Sequence, residues 1–351
     1  MALMSMPDKA AIPPPISVAV RRGDDPEAID EAVALLRSGE AVAFPTETVY
    51  GLGANALDPV AVARIFAIKD RPRFDPLIVH VASPDELRGL VTEEDAADPR
   101  VATLVERFWP GPLTLVLGKS DVVPGIVTAG LDTVGVRMPD HPVALTLLRA
   151  TGFPLAAPSA NRFGGVSPTR AEHVAMQLAG RVRLVLDGGP SRVGVESTVL
   201  LLAGGRSTLL RPGGLPLEAI EDAIGRVQIP EAAEARSLSP GRASSHYAPR
   251  APLVLAEPGA TPRSEGRRVG LLAADDAGRA TAESVGGPFA VVAVLSPTGD
   301  PVEAAARLFD ALHELDALDL DGIVAQPVAE DGLGRAVMDR LRRAAAATMT
   351  P

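Results

Sequence analysis

Three cations, Lys69, Arg71 and Arg73, fall within five residues, and the chain then runs past Pro72 and Pro76 into an apolar stretch at 77–81. The dipole at a helix C-terminus accounts for one cation there, but three on a proline-stiffened loop suit a grip on phosphate groups. The segment FPTETVYGLG (44–53) puts the hydroxyls of Thr46, Thr48 and Tyr50 at a strand end, beside glycines that admit a ligand close to the backbone. A polar turn whose threonines bond their own backbone would read the same way. His80, at the far end of the 77–81 stretch, suits a core position or a hydrogen bond to a carboxylate. Arg137 stands in the apolar run VGVRMP. Burying it unpaired would be costly, so it needs an anion from either the protein or a substrate.

Two further segments add to the pattern. APSANRFGGVSPT (157–169) brings small residues, hydroxyls, an amide and two glycines out of a strand and into a helix, whose first turn has free N–H groups. It could cradle a phosphate or a ribose, although the GxxxxGK[ST] pattern is absent. Asp187-Gly188-Gly189 leads to Glu196-Ser197-Thr198 and then to Arg211, a cation at a strand end for which a surface role would also suffice. No Ser-His-Asp set and no metal cluster accompanies these segments. Together they describe strand ends that would hold a polyanion and a small amino acid, with catalysis by positioning and electrostatics.

The elements that must carry them alternate from residue 41 onward. Strands are expected at 41–44, 77–81, 113–117, 134–137, 155–157 and 184–186, with a hairpin of 198–202 and 207–210 across Gly204-Gly205. Helices are expected at 59–68, 85–91, 99–108, 142–150, 170–178 and 216–224. This predicts an α/β fold with a twisted sheet that is not purely parallel, over residues 15–227. Proline and small residues mark 228–251 as a linker or ordered loop. Short apolar strands at 253–256, 269–272, 290–295 and 322–325 alternate with helices at 301–315 and 334–346. They predict a smaller Rossmann-like parallel α/β domain over 252–347, without a GxGxxG fingerprint.

Bulk properties bound the function. The 351 residues are 46% hydrophobic and 22% charged, a globular balance that favours two domains. The net charge of −10 argues against tight, nonspecific nucleic-acid binding. With no cysteine there is neither a disulfide framework nor a thiolate site. No apolar run is long enough to span a bilayer, and the N-terminal segment has no secretory pattern, so a cytoplasmic location is expected. Only three lysines occur among 34 basic residues, which singles out Lys69 inside its dense motif.

Taken in order, FPTETVYGLG, KDRPRFDPLIVH, FWPGPLTLVL, VGVRMPDHP, APSANRFGGVSPT, DGG, ESTV and LRPG resemble the L-threonylcarbamoyladenylate synthase family, in its long form with a YrdC-like first domain. The resemblance implies condensation of L-threonine, bicarbonate and ATP, with Mg²⁺ on the phosphates rather than on a protein site. The products would be threonylcarbamoyladenylate and pyrophosphate, used by a separate tRNA threonylcarbamoyl transferase complex at adenosine 37. It implies that Lys69 and Arg71 act in catalysis, with Asp75, Thr133, Ser159, Asn161, Ser167, Arg211 and Tyr247 joining Arg71 around ATP. Thr48, His80, Arg137, Ala157 and Ser197 match positions around threonine, and Thr46 is a weaker neighbour. On this reading the threonine carboxylate is the anion that Arg137 needs. Asp75 departs from the family's usual asparagine or lysine, and would repel a triphosphate unless Mg²⁺ or Arg73 offset it. Residues 242–245 also depart from the bulkier loop expected there. Two other readings are weaker. A carbamoyl-transfer domain of hydrogenase maturation proteins would bring cysteine zinc motifs, and an RNA-binding module would need more than 3% aromatic residues for base stacking.

Overall fold

The structure, a computed structural model, describes residues 18–72, 75–230, 246–264 and 267–346. Arg73 and the segments 239–241 and 242–245 lie outside the described residues. Four helices begin with the same local device, an aspartate followed by proline. In Pro26–Arg37, Pro59–Lys69, Pro99–Phe108 and Pro301–Asp316 the preceding aspartate accepts a backbone N–H of the first turn, and the proline occupies the position that needs no donor.

Ten strands form one mixed sheet: β1 Ala19–Arg22, β2 Val42–Phe44, β3 Gly51–Asn55, β4 Ile78–His80, β5 Leu113–Gly118, β6 Thr133–Arg137, β7 Leu155–Ala156, β8 Leu184–Asp187, β9 Thr198–Ala203 and β10 Arg206–Arg211. Their spatial order is β1-β8-β2-β3-β7-β4-β6-β5-β9-β10. Parallel pairs (β1 with β8, β2 with β8, β4 with β6, β5 with β9) are mixed with antiparallel ones, including the β9–β10 hairpin. Four more strands, β11 Leu253–Leu255, β12 Val269–Ala273, β13 Val291–Val294 and β14 Gly322–Ala325, make a separate all-parallel sheet in the order β11-β14-β12-β13.

The expected α/β class and its mixed sheet are present. Among the elements that differ from the sequence reading, three lie in the large sheet or against it. β1 and the helix Pro26–Arg37 precede residue 41, where that reading begins its alternation. The sequence GLGAN, read above only as part of a ligand turn, is strand β3. Glycine disfavours a strand, but β3 is held on both flanks by β2 and β7. A Cβ on Gly53 would sit 2.7 Å from the Phe44 ring, so the missing side chain is what lets Phe44 fill the core.

The two sheets meet through side chains of both. Val49, Val166, Val195 and Tyr247 pack into the hydrophobic core of the second sheet, against residues such as Phe309 and Leu312. At Gly194 (φ +74°) a Cβ would lie 2.5 Å from the Ala305 carbonyl oxygen, so the backbones of the two units touch there.

Candidate active site

One cavity gathers the strand ends of the large sheet. Thr48, Arg71, His80 and Arg137 line it from β2, β4 and β6 and their loops, with Ala157 and Ser159 following β7. Ser197 and Arg211 enter from the ends of β9 and β10, and Tyr247 lines the cavity as well.

The turn at 45–50 explains the placing of Thr48. Thr46 Oγ1 donates to Val49 O at 2.6 Å and accepts the N–H groups of Thr48 and Val49 at 3.2 and 3.3 Å, so Thr46 satisfies its own turn. The Thr46 hydroxyl proton is thereby used, and Thr48 Oγ1 donates to Thr46 Oγ1 at 2.8 Å while accepting from Arg137 Nη1 at 2.9 Å. Tyr50 turns away from the cavity: its hydroxyl bonds Gly189 O at 2.7 Å and accepts from Gly188 N at 3.2 Å.

Arg137 has a protein carboxylate. Its Nη2 lies 2.5 Å from Glu47 Oε2, with both side chains buried, and Nε donates to Gly111 O at 3.2 Å. Of the two sources of an anion left open in the sequence, the fold supplies the protein one, so the threonine carboxylate that the resemblance offers is not needed to offset the burial of Arg137. Glu47 went unnoticed in the sequence because it stands between two threonines in a motif read for its hydroxyls. The signal was its being the sole carboxylate in FPTETVYGLG. His80 Nδ1 lies 3.2 Å from Ile78 O, within reach to donate to that carbonyl. Burial, with Arg137 adding to it, pushes its pKa down to about 3, so the ring is neutral.

Lys69 is not on the cavity wall. Its ammonium is buried and donates to the backbone carbonyls of Ser159 and Asn161, both at 2.5 Å. The sequence reading of a phosphate clamp becomes a clamp on the loop that carries Ser159. Burial, and then the charge of Arg71, pushes the Lys69 pKa well down. Asn161 braces the same loop, its Nδ2 donating to Arg162 O at 2.7 Å and Gly165 O at 2.9 Å. Asp75 lies behind Arg71, in a 2.8 Å ion pair with its Nη2. The carboxylate expected to repel a triphosphate is thus spent on an arginine of the wall. Thr133 begins β6, opposite Gly118, and does not line the cavity.

The other end of the cleft is held from the second sheet. Arg211 Nη2 donates to Ser197 O at 2.9 Å, and Ser197 Oγ lies 2.8 Å from Thr114 Oγ1. Glu196, named in the sequence only as part of its segment and given no role there, lines the cavity and accepts from Ser167 Oγ at 2.6 Å. Ser167 itself is fully buried and off the wall. Its carbonyl accepts from His313 Nε2 at 3.1 Å, and the His313 ring stacks on His173 at 3.8 Å. Tyr247 has a left-handed φ of +66°, and its ring lies 5.3 and 5.2 Å from the guanidinium carbons of Arg340 and Arg343.

Comparison with known proteins places this arrangement. Residues 34–213 match the family described as telomere recombination (Sua5, YciO and YrdC), and residues 215–346 match the threonylcarbamoyl-AMP synthase C-terminal domain. A threonylcarbamoyl-AMP synthase of Pyrococcus abyssi is 47% identical over 94% of this chain and 97% of its own length. One of Bacillus subtilis is 46% identical, over 92% and 94% respectively. The crystal structure of P. abyssi Sua5 complexed with L-threonine superposes with a TM-score of 0.83 at 44% identity, covering 95% of this chain and 98% of that one. The chain belongs to the Sua5–YciO–YrdC family, in the form that carries the threonylcarbamoyl-AMP synthase C-terminal domain.

Proposed function

We infer that this protein is a threonylcarbamoyl-AMP synthase, which condenses L-threonine, bicarbonate and ATP to L-threonylcarbamoyladenylate and pyrophosphate. The observation that carries this is the near-full-length likeness to synthases of an archaeon and a bacterium, 47% and 46% identical. The cavity agrees with it in kind, since its wall combines hydroxyls and a neutral imidazole with arginines.

The threonine amine, in its neutral form, attacks the carbon of CO₂ or bicarbonate and forms the C–N bond of a carbamate, releasing a proton in the CO₂ case and water in the bicarbonate case. A carbamate oxygen then attacks the α-phosphorus, and the Pα–O bond to pyrophosphate breaks. Thr48, His80, Arg137, Ala157 and Ser197 surround threonine, and Thr48 offers its remaining lone pair as an acceptor. Arg71, Ser159, Arg211 and Tyr247 face ATP, with the arginines offsetting charge on the phosphates. Lys69, Asn161, Asp75 and Ser167 act behind that wall as the groups that hold it, and Thr133 stands beyond it. Among the described residues no three carboxylates or histidines group as a metal site. A magnesium ion would arrive on the triphosphate, keeping its waters, and supply charge neutralisation there. The product would feed a tRNA threonylcarbamoyl transferase in the cytoplasm, with residues 15–227 as the catalytic unit and 252–347 as its partner domain.

Pyrophosphate release from ATP tests the reading. Release should require both threonine and bicarbonate, and Arg71→Ala should lower it on the order of 100-fold in a folded protein. ATP turnover indifferent to threonine would overturn the proposal.

A further inference from the structure

Arg340 is fully buried, and it stands on the helix Gly334–Ala346 of the second sheet. Apart from its neighbour Asp339, the groups it holds lie on the other side of the seam or in the connecting segment. Its Nε donates to Glu196 Oε2 at 2.9 Å, and Nη1 donates to Pro212 O at 2.8 Å. Its face lies over the Tyr247 ring. Packing alone does not call for a guanidinium here, because an apolar side chain of similar volume fills such a site as well or better. What the guanidinium adds is charge against Glu196 and a fork that reaches two places at once.

Both of those places bear on the cleft. Glu196 lines the cavity and holds the Ser167 hydroxyl with its other oxygen. Pro212 directly follows Arg211, whose guanidinium is fixed to Ser197. We propose that Arg340 is a positioning residue for the adenylation reaction, which neutralises Glu196 and, through Glu196 and Pro212, sets Ser167 and Arg211 in place. This rests on the synthase reading above. Without Arg340, the Glu196 carboxylate stays buried, and the charge left to offset it is that of Arg211 on the cavity wall. Its field then falls on a cleft that must accept a triphosphate, and on the arginine placed to receive it.

The full chain and its variants are compared by steady-state pyrophosphate release, varying ATP and threonine separately. Arg340→Met should raise the KM for ATP about tenfold or more, and the KM for threonine by less than about threefold. The double variant Glu196→Gln/Arg340→Met removes both charges and should return the KM for ATP to within about threefold of the unaltered chain. An unchanged KM for ATP in Arg340→Met, or a double variant no better than the single, would overturn the proposal. Should Arg340→Met fail to fold, the double variant carries the test alone: an ATP KM within about threefold supports the proposal, and one raised about tenfold overturns it. If the unaltered chain shows no threonine-dependent release, the synthase reading fails first, and that failure is visible before any variant is compared.

Discussion

At the Thr48 end of the cleft, buried Arg137 finds its carboxylate, Glu47, in the β2–β3 turn of the same sheet. At the Arg211 end, Glu196 finds its guanidinium, Arg340, on a helix of the other sheet. The physical demand is the same in both places, since a charge removed from water needs a partner. The difference is where the partner comes from. The first pair is complete as soon as the large sheet folds. The second is complete only when the two units are docked, so the Arg211 end of the cleft depends on the seam.

The comparison breaks most sharply at Glu47. Glu47→Ala leaves the Arg137 guanidinium buried with only neutral partners, and loss of one member of a buried pair costs about 3–5 kcal/mol. Because the pair is internal to the large sheet, the loss should appear as a lower urea midpoint for the whole first unit. At the other end, Arg340→Met should show chiefly in the KM for ATP. A Glu47→Ala protein as stable as the unaltered chain would mean that Arg137 is not held as described.

Much of the fold was legible from the sequence because its signals are local. Asp-Pro pairs at 58–59, 98–99 and 300–301 start three of the helices expected from the sequence, and Gly204-Gly205 turns the expected hairpin. Much of the cavity wall was legible as well, since hydroxyls and arginines at strand ends are costly to leave without purpose. What failed was direction. Lys69 and Arg71 are two residues apart at a helix C-terminus, and only the three-dimensional path of the 158–165 loop turns one inward and the other to the wall. Glu47, Glu196 and Arg340 were missed for a related reason. Each is meaningful only with a partner on another element, 90 residues away for Glu47 and 144 for the other two. Periodicity and motif spacing carry no record of such pairings.

Acid should weaken both ends, by an amount set by the histidines. Burial holds all five below the ordinary value of 6.5, His80 at about 3 and His173 at about 4. A base whose pKa is depressed by folding binds its proton first in the unfolded chain. Stability is therefore full above about pH 6.5 and falls as the pH drops toward the folded pKa. For His80 alone the loss at pH 5 is about 2 kcal/mol. Urea midpoints at pH 7 and pH 5 check this, and His80→Gln should show a smaller drop between them. Equal drops in the two proteins would remove His80 from the account and leave the seam histidines to explain it.

The smallest effect is expected on the rim of the same seam, where Arg170 bonds Asp310 through Nε at 2.9 Å and Nη2 at 2.8 Å. Arg170 is nearly half exposed, and Asp310 keeps Thr169 and Arg307 as partners when it is removed. Solvent and salt screen such a pair, so Arg170→Ala should cost at most about 1 kcal/mol, with little of that left in 1 M NaCl. Its KM for ATP should match that of the unaltered chain, which makes it the control for Arg340. Both arginines join the same two units, but one does so in water and the other inside the cleft wall. If Arg170→Ala raised the KM for ATP as far as Arg340→Met does, loosening of the seam in general would explain both, and the link through Glu196 would lose its special place. If only Arg340→Met does so, the coupling runs through the buried pair.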